Sequence, residues 1–137
     1  MANVFPFSAF RYTEKAGPTG DLVTQPYDKI PADLQQRYYD ASPYNFVRLN
    51  KGLEEPGDSE TNNVYTRAAR DLESWIRDGI LAQDTAPAFY PYTQEFKHPE
   101  TGETLVRQGF IGLTEAVPYE KKVIFPHELT HRGPKVD

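Results

Sequence analysis

No cysteine occurs among the 137 residues, so neither a disulfide framework nor a thiolate nucleophile is available. Methionine and tryptophan appear once each, against nine tyrosines and eight phenylalanines, and packing must rest largely on phenyl and phenol rings. No run approaches the roughly 18 apolar residues a membrane helix needs. The start, Met1-Ala2-Asn3-Val4-Phe5-Pro6, also lacks the charged-then-apolar order of a secretion signal. A cytoplasmic location without membrane partners is expected. Basic residues are the minority, 15 against 20 acidic for a net charge of −5, which argues against a general electrostatic grip on nucleic acid but leaves local basic pockets open. The length suits a single domain over 1–137, and nothing in the composition opposes a homo-oligomer.

Taken in order, Val4 to Tyr12 reads as a short strand or extended arm interrupted at Pro6. Turn residues follow at Gly17-Pro18-Thr19-Gly20, and Gln25-Pro26-Tyr27-Asp28 presents Tyr27 and Asp28 from a proline-stiffened loop. Ile30-Pro31-Ala32-Asp33 opens a short helix with Leu34, Tyr38 and Tyr39 on one stripe, ending before Ser42-Pro43. Tyr44 to Leu49 alternates and is expected to be a strand, on which Asn45 and Arg48 converge only if a bulge or strand end intervenes. Lys51 to Asn63 is a polar loop and a candidate for disorder. From Asn62 or Asn63 the spacing of Val64, Ala68, Leu72, Trp75 and Ile76 predicts a second helix, capped near Gly79. Ala88 to Phe96 and Thr104 to Leu113 flank a turn-rich link and predict a long antiparallel hairpin. Gly109 and Gly112 would let it bend or another backbone approach. A last strand is expected at Val123-Ile124-Phe125. The fold class is therefore α+β, a mixed or mostly antiparallel sheet with two main helices.

The densest chemistry lies at the end, where Phe125-Pro126 leads into His127-Glu128-Leu129-Thr130-His131-Arg132-Gly133-Pro134-Lys135. Histidine titrates near neutrality and glutamate can act as a base, so His127-Glu128 is a candidate proton-transfer or phosphate-contacting pair; the alternative is a capped loop. As a string, His127 to His131 matches H-E-x-x-H. That zinc signature works on a helix, and Gly133-Pro134 closes any helix within a turn or two, so metalloprotease is the minor reading and no metal ligands are assigned. Lys135 and Arg132 beside a constrained turn can hold an anion without resembling a nucleotide-binding loop; the alternative is a solvated basic end beside Asp137. Tyr27-Asp28 offers a carboxylate or a simple turn, Arg48 a phosphate contact or a surface ion pair, and His98-Pro99 a turn.

Phe5-Pro6-Phe7 with Tyr12, then Gln25-Pro26-Tyr27-Asp28, Ser42-Pro43-Tyr44-Asn45-Phe46-Val47-Arg48-Leu49, Trp75, Tyr92-Thr93-Gln94-Glu95-Phe96 and Pro126-His127-Glu128 with Gly133-Pro134-Lys135 form an ordered set. Together they resemble the amino-terminal part of the domain-of-unknown-function 1015 family. The resemblance spans essentially the whole chain and implies the amino-terminal portion of a longer protein, continuing to an Asp-Gly-His-His-Arg motif similar to that of free-serine kinases in the ParB/sulfiredoxin-like superfamily. It thus implies a ParB-like variant of the fold and a phosphotransferase acting on a small hydroxylated metabolite, serine first, with a nucleotide or pyrophosphate as donor. In the matched motifs Asp28 and Glu128 would serve as base or hold Mg2+. Tyr27, Asn45, Arg48, His127, Thr130 and Lys135 would contact substrate or phosphate. Leu129 departs from the basic residue the family often has there. A noncatalytic ligand- or partner-binding module linked to serine metabolism is the second reading.

Overall fold

The computed structural model describes residues 1–125. The expected α+β class holds: short antiparallel strand pairs combine with three helices, two of them longer than one turn. The chain divides into two compact units, one of Ala9–Asp84 and one of Met1–Ser8 with the described part of Thr85–Asp137.

In the Ala9–Asp84 unit, strand β2 (Phe10–Tyr12) pairs antiparallel with β3 (Leu81–Gln83), with Arg11 opposite Ala82. Between them in sequence lie helices α1 (Ala32–Ala41), α2 (Val47–Asn50) and α3 (Val64–Arg77). Helix α1 starts after Pro31, whose fixed φ suits the entry, and stops at Ser42 ahead of Pro43 as expected. Its most buried residue is polar: Gln35 donates from Nε2 to the Lys51 and Gly52 carbonyls, at 2.8 and 3.2 Å.

Helix α3 owes its limits to local chemistry at both ends. Asn63 accepts from the Tyr65 and Thr66 amides while the Thr66 hydroxyl accepts from the Asn63 amide, a reciprocal capping box. At the far end Gly79 adopts φ +71°, the Ile80 amide donates to the Trp75 carbonyl and the Gly79 amide to that of Ile76. Such a left-handed stop is cheapest for glycine. The buried side is not quite the one the spacing predicts. Trp75 is buried at 4% exposure, but Leu72 and Ile76 remain about two-fifths exposed.

Around Trp75 gather Ala16, Leu22, Ile80 and Leu81, with Tyr12, Tyr44 and Leu49 packed against them. The Trp75 ring lies 6.0 Å from those of both Tyr12 and Tyr44. Tyr12 donates its hydroxyl to the Tyr44 carbonyl at 2.8 Å, and burial pushes its phenol pKa up to about 12.

Two expected strands are absent. Tyr44 to Leu49 contributes α2 instead, because two side chains turn the backbone before a strand can form. Ser42 Oγ accepts from the Tyr44 amide and Asn45 Oδ1 from the Val47 amide, local bonds that favour turns and helix starts. At Val123 to Phe125 there is likewise no strand. Pro118 opens a 3-10 turn over Tyr119–Lys121 and Lys122 then reverses the chain at φ +51°. The polar loop after α2 is held in place by side-chain bonds described below.

In the second unit, β1 (Val4–Phe5) pairs antiparallel with β6 (Leu113–Thr114), and Phe7 bridges Ala88. The predicted hairpin is present as β4 (Tyr90–Lys97) and β5 (Thr104–Ile111), in register from Tyr90 opposite Ile111 to Lys97 opposite Thr104. His98 shapes its tip by accepting at Nδ1 from the Glu100 and Thr101 amides, which agrees with a turn role. At Gly112 a Cβ would sit 3.0 Å from the Phe89 ring and 3.2 Å from the Phe5 carbonyl oxygen, so glycine there does allow a close approach. Among the described residues no helix is long and apolar enough to cross a membrane.

Candidate functional site

The sequence motifs place their side chains in different settings. Tyr27 and Asp28 stand exposed on a 3-10 turn (Tyr27–Lys29) that Pro26 introduces, closed by the Lys29 amide donating to the Pro26 carbonyl at 2.8 Å. Lys51 anchors this turn by donating to the Tyr27 and Ile30 carbonyls. Asn45 is fully buried and its side chain serves the backbone of its own unit. Besides receiving the Val47 amide at 2.9 Å, it donates from Nδ2 to the Asp21 carbonyl at 2.7 Å. His127, Glu128, Thr130 and Lys135 lie outside the described residues.

Arg48 faces a cleft. Helix α2 carries it to a cavity of about 720 Å³ that α3 also lines through Arg67, Arg70, Asp71 and Arg77, with Tyr39 from α1. The Arg48 guanidinium stacks 4.3 Å above the Tyr39 ring and donates from Nη2 to the Tyr39 carbonyl at 3.2 Å. Stacking on an aromatic face suits guanidinium far better than ammonium. No carboxylate forms an ion pair with Arg48 among the described residues, and its buried Nε has no partner there. Asp28 is not among the residues that line this cleft.

The arginines of α3 divide by role. Arg67 is a structural clamp, gripping Asp58 through two bonds of 2.6 and 3.0 Å and the Leu53 carbonyl at 2.7 Å, which fastens the 51–63 loop to the helix. Arg77 pairs with its neighbour Asp78. Among the described residues Arg70 donates to the side-chain amide oxygen of Asn62, at 3.2 Å, and forms no ion pair. The half-buried Asp71 carboxylate has no hydrogen bond or ion pair among the described residues. Arg48, Arg70, Asp71 and Glu73 thus bring two cations and two carboxylates without an ion pair among the described residues to a common opening, and the two guanidiniums fit a phosphorylated or carboxylated ligand.

Sequence reasoning reached Arg48 but passed over Arg70 and Asp71. The signal was present: Arg67, Arg70, Asp71, Ser74 and Arg77 recur at three and four residues along α3, the spacing of a single helix face.

The Arg67 clamp has a pH signature. Its hydrogen bonds hold the Asp58 carboxyl below the ordinary carboxylate range. A carboxyl whose pKa is lower folded than unfolded contributes stability that is complete above the unfolded value and lost as pH falls through the folded one. The native protein is therefore expected to melt higher than Asp58→Asn at neutral pH, and the gap to close in acid. Thermal melts of both proteins across the acid range measure this; a gap that persists below the carboxylate range would assign the loop's fastening to other contacts.

No curated protein and no solved structure matches this chain. The family model described as "Protein of unknown function (DUF1015)" matches residues 4–137, nearly its whole length, and agrees with the ordered motifs, so the chain belongs to that family.

Proposed function

We propose that the chain is part of a small-molecule phosphotransferase, moving a phosphoryl group from a nucleotide or pyrophosphate to the hydroxyl of a small metabolite, free serine first among them. The observation that carries this reading is Arg48: the Ser-Pro-Tyr-Asn-Phe-Val-Arg motif delivers a guanidinium, stacked on Tyr39 and unneutralised, into a cleft that Arg70 also lines. In-line phosphoryl transfer demands positioning and charge stabilisation more than covalent chemistry, and stacked arginine supplies both. The acceptor hydroxyl attacks phosphorus as its proton passes to a carboxylate, and the remainder of the donor leaves. Glu128 and Asp28 are the candidate bases, Asp28 standing on its 3-10 turn outside the lining of the Arg48 cleft. Tyr27, Asn45, His127, Thr130 and Lys135 complete the proposed set, with Asn45 acting through the backbone it holds.

Mg2+ commonly takes only one or two carboxylates together with phosphate oxygens and water. Asp71, free and beside two arginines, fits that pattern, and the described residues hold no cluster of three or more His, Asp or Glu that would act as an all-protein cage. When bound, the ion would neutralise donor phosphates. A ParB/sulfiredoxin-like architecture and a cytoplasmic setting belong to the same reading, since its substrates are intracellular metabolites.

Calorimetric titration with ATP, ADP and pyrophosphate, each with and without Mg2+, tests the cleft. At least one donor is expected to bind, and Arg48→Ala to weaken it by roughly ten- to a hundredfold, the value of a charge-assisted hydrogen bond. Arg48→Lys should recover little, because ammonium cannot reproduce the stack. A folded protein that binds none of the three would overturn the proposal, and binding without transfer to serine by the longer protein of which the chain is a part would assign the noncatalytic module.

A further inference from the structure

The β4–β5 hairpin leaves one edge built for pairing. Among the described residues its two eight-residue strands form a two-stranded sheet, and two-stranded ribbons are marginal in water unless further strands or a packing surface join them. The register and one bond settle which backbone groups point outward. The His98 amide donates to the Glu103 carbonyl at 2.8 Å, so that pair is hydrogen-bonded, and alternation makes Phe96 with Leu105, Gln94 with Arg107, Tyr92 with Gly109 and Tyr90 with Ile111 the bonded pairs. On β4, Pro91, Thr93, Glu95 and Lys97 then turn their backbone groups out, and that edge is blunted by a proline and two charges. On β5 the outward residues are Thr104, Val106, Gln108 and Phe110, with no proline and no charge. Exposed, uncharged edges of this kind recruit another strand.

We infer that β5 pairs antiparallel with β5 of a second copy of this chain about a two-fold axis at Gln108, joining two hairpins into a four-stranded sheet. The strand is self-complementary in that register. Val106, 57% exposed, faces Phe110 of the second copy, 63% exposed, and Leu105 faces the second copy's Ile111, each pair occurring twice by symmetry. Arg107 falls opposite Gly109 of the second copy, where nothing lies within 4 Å of the place a Cβ would take. The long side chain therefore has room, and its charge meets no like charge. Moving the axis to residue 107 would set Arg107 against itself, which cross-strand pairing disfavours. Moving it to 106 loses the Val–Phe and Leu–Ile pairs. An isologous contact also closes on itself, which spares the protein open-ended stacking.

Sedimentation of the full chain over a concentration series tests the pairing, with a reversible dimer expected. Gln108→Pro removes an outward amide from each copy while leaving every bond inside the hairpin, and should weaken the dimer about tenfold or more with the fold intact by circular dichroism. Val106→Lys, which places a charge on the edge, should do the same, whereas Thr93→Lys on the opposite edge should change nothing. A monomer at all concentrations overturns the inference. So does a dimer that survives both β5 variants, or one that Thr93→Lys breaks.

Discussion

Trp75→Ala is expected to cost about 3–5 kcal/mol, the range for deleting a large buried ring and leaving its cavity. Trp75 is the centre of the Ala9–Asp84 core, with the Tyr12 ring tilted against it, the Tyr44 ring edge-on, and Leu22, Ile80 and Leu81 around it. A unit of this size loses roughly 4–8 °C of melting temperature for each kcal/mol, so the melt of this unit should fall by well over ten degrees. Leu72→Ala, one turn away and about two-fifths exposed, should cost under about 1 kcal/mol. Far-UV circular dichroism follows both, since the sole tryptophan is lost in one of them. Equal losses for the two variants would mean that α3 buries its Leu72 side in solution.

The second large effect lies on turnover. If the proposed phosphotransfer is assayed in the longer protein of which this chain is proposed to be a part, with serine and each donor in turn, replacing the carboxylate that accepts the hydroxyl proton should lower kcat roughly 100- to 10,000-fold. KM should change little, because proton acceptance matters chiefly in the transition state. Asp28→Asn and Glu128→Gln are the variants to compare. Asp71→Asn should behave differently, raising the Mg2+ concentration needed for half-maximal rate, since a carboxylate sharing its cleft with Arg48 and Arg70 is suited to a metal on the donor phosphates. Lys135→Ala should weaken the donor. Losses below 100-fold in both Asp28→Asn and Glu128→Gln would leave these carboxylates as positioning groups only.

Local chemistry made much of this protein legible without coordinates. Pro31 and Ser42-Pro43 bound α1, Asn63 and Gly79 bound α3, and the alternation on either side of His98–Glu103 marks the hairpin, because in each case the deciding bonds join residues a few positions apart. The α+β class and the family likeness followed from the same short-range signals, and Arg48 was singled out inside one of those motifs. What failed was also local but of a subtler kind: Ser42 and Asn45 bend the Tyr44–Leu49 segment into α2 with side-chain bonds that hydrophobic alternation does not register. Burial needed the tertiary structure. Spacing alone grouped Leu72 and Ile76 with Trp75, and only the packing of Tyr12, Leu22 and Leu81 selects which side of α3 is covered. The candidate site depended on it as well. Arg48 and Arg70 stand 22 positions apart on separate helices, and their meeting rests on the packing of α2 against α3, which no periodicity in the chain encodes.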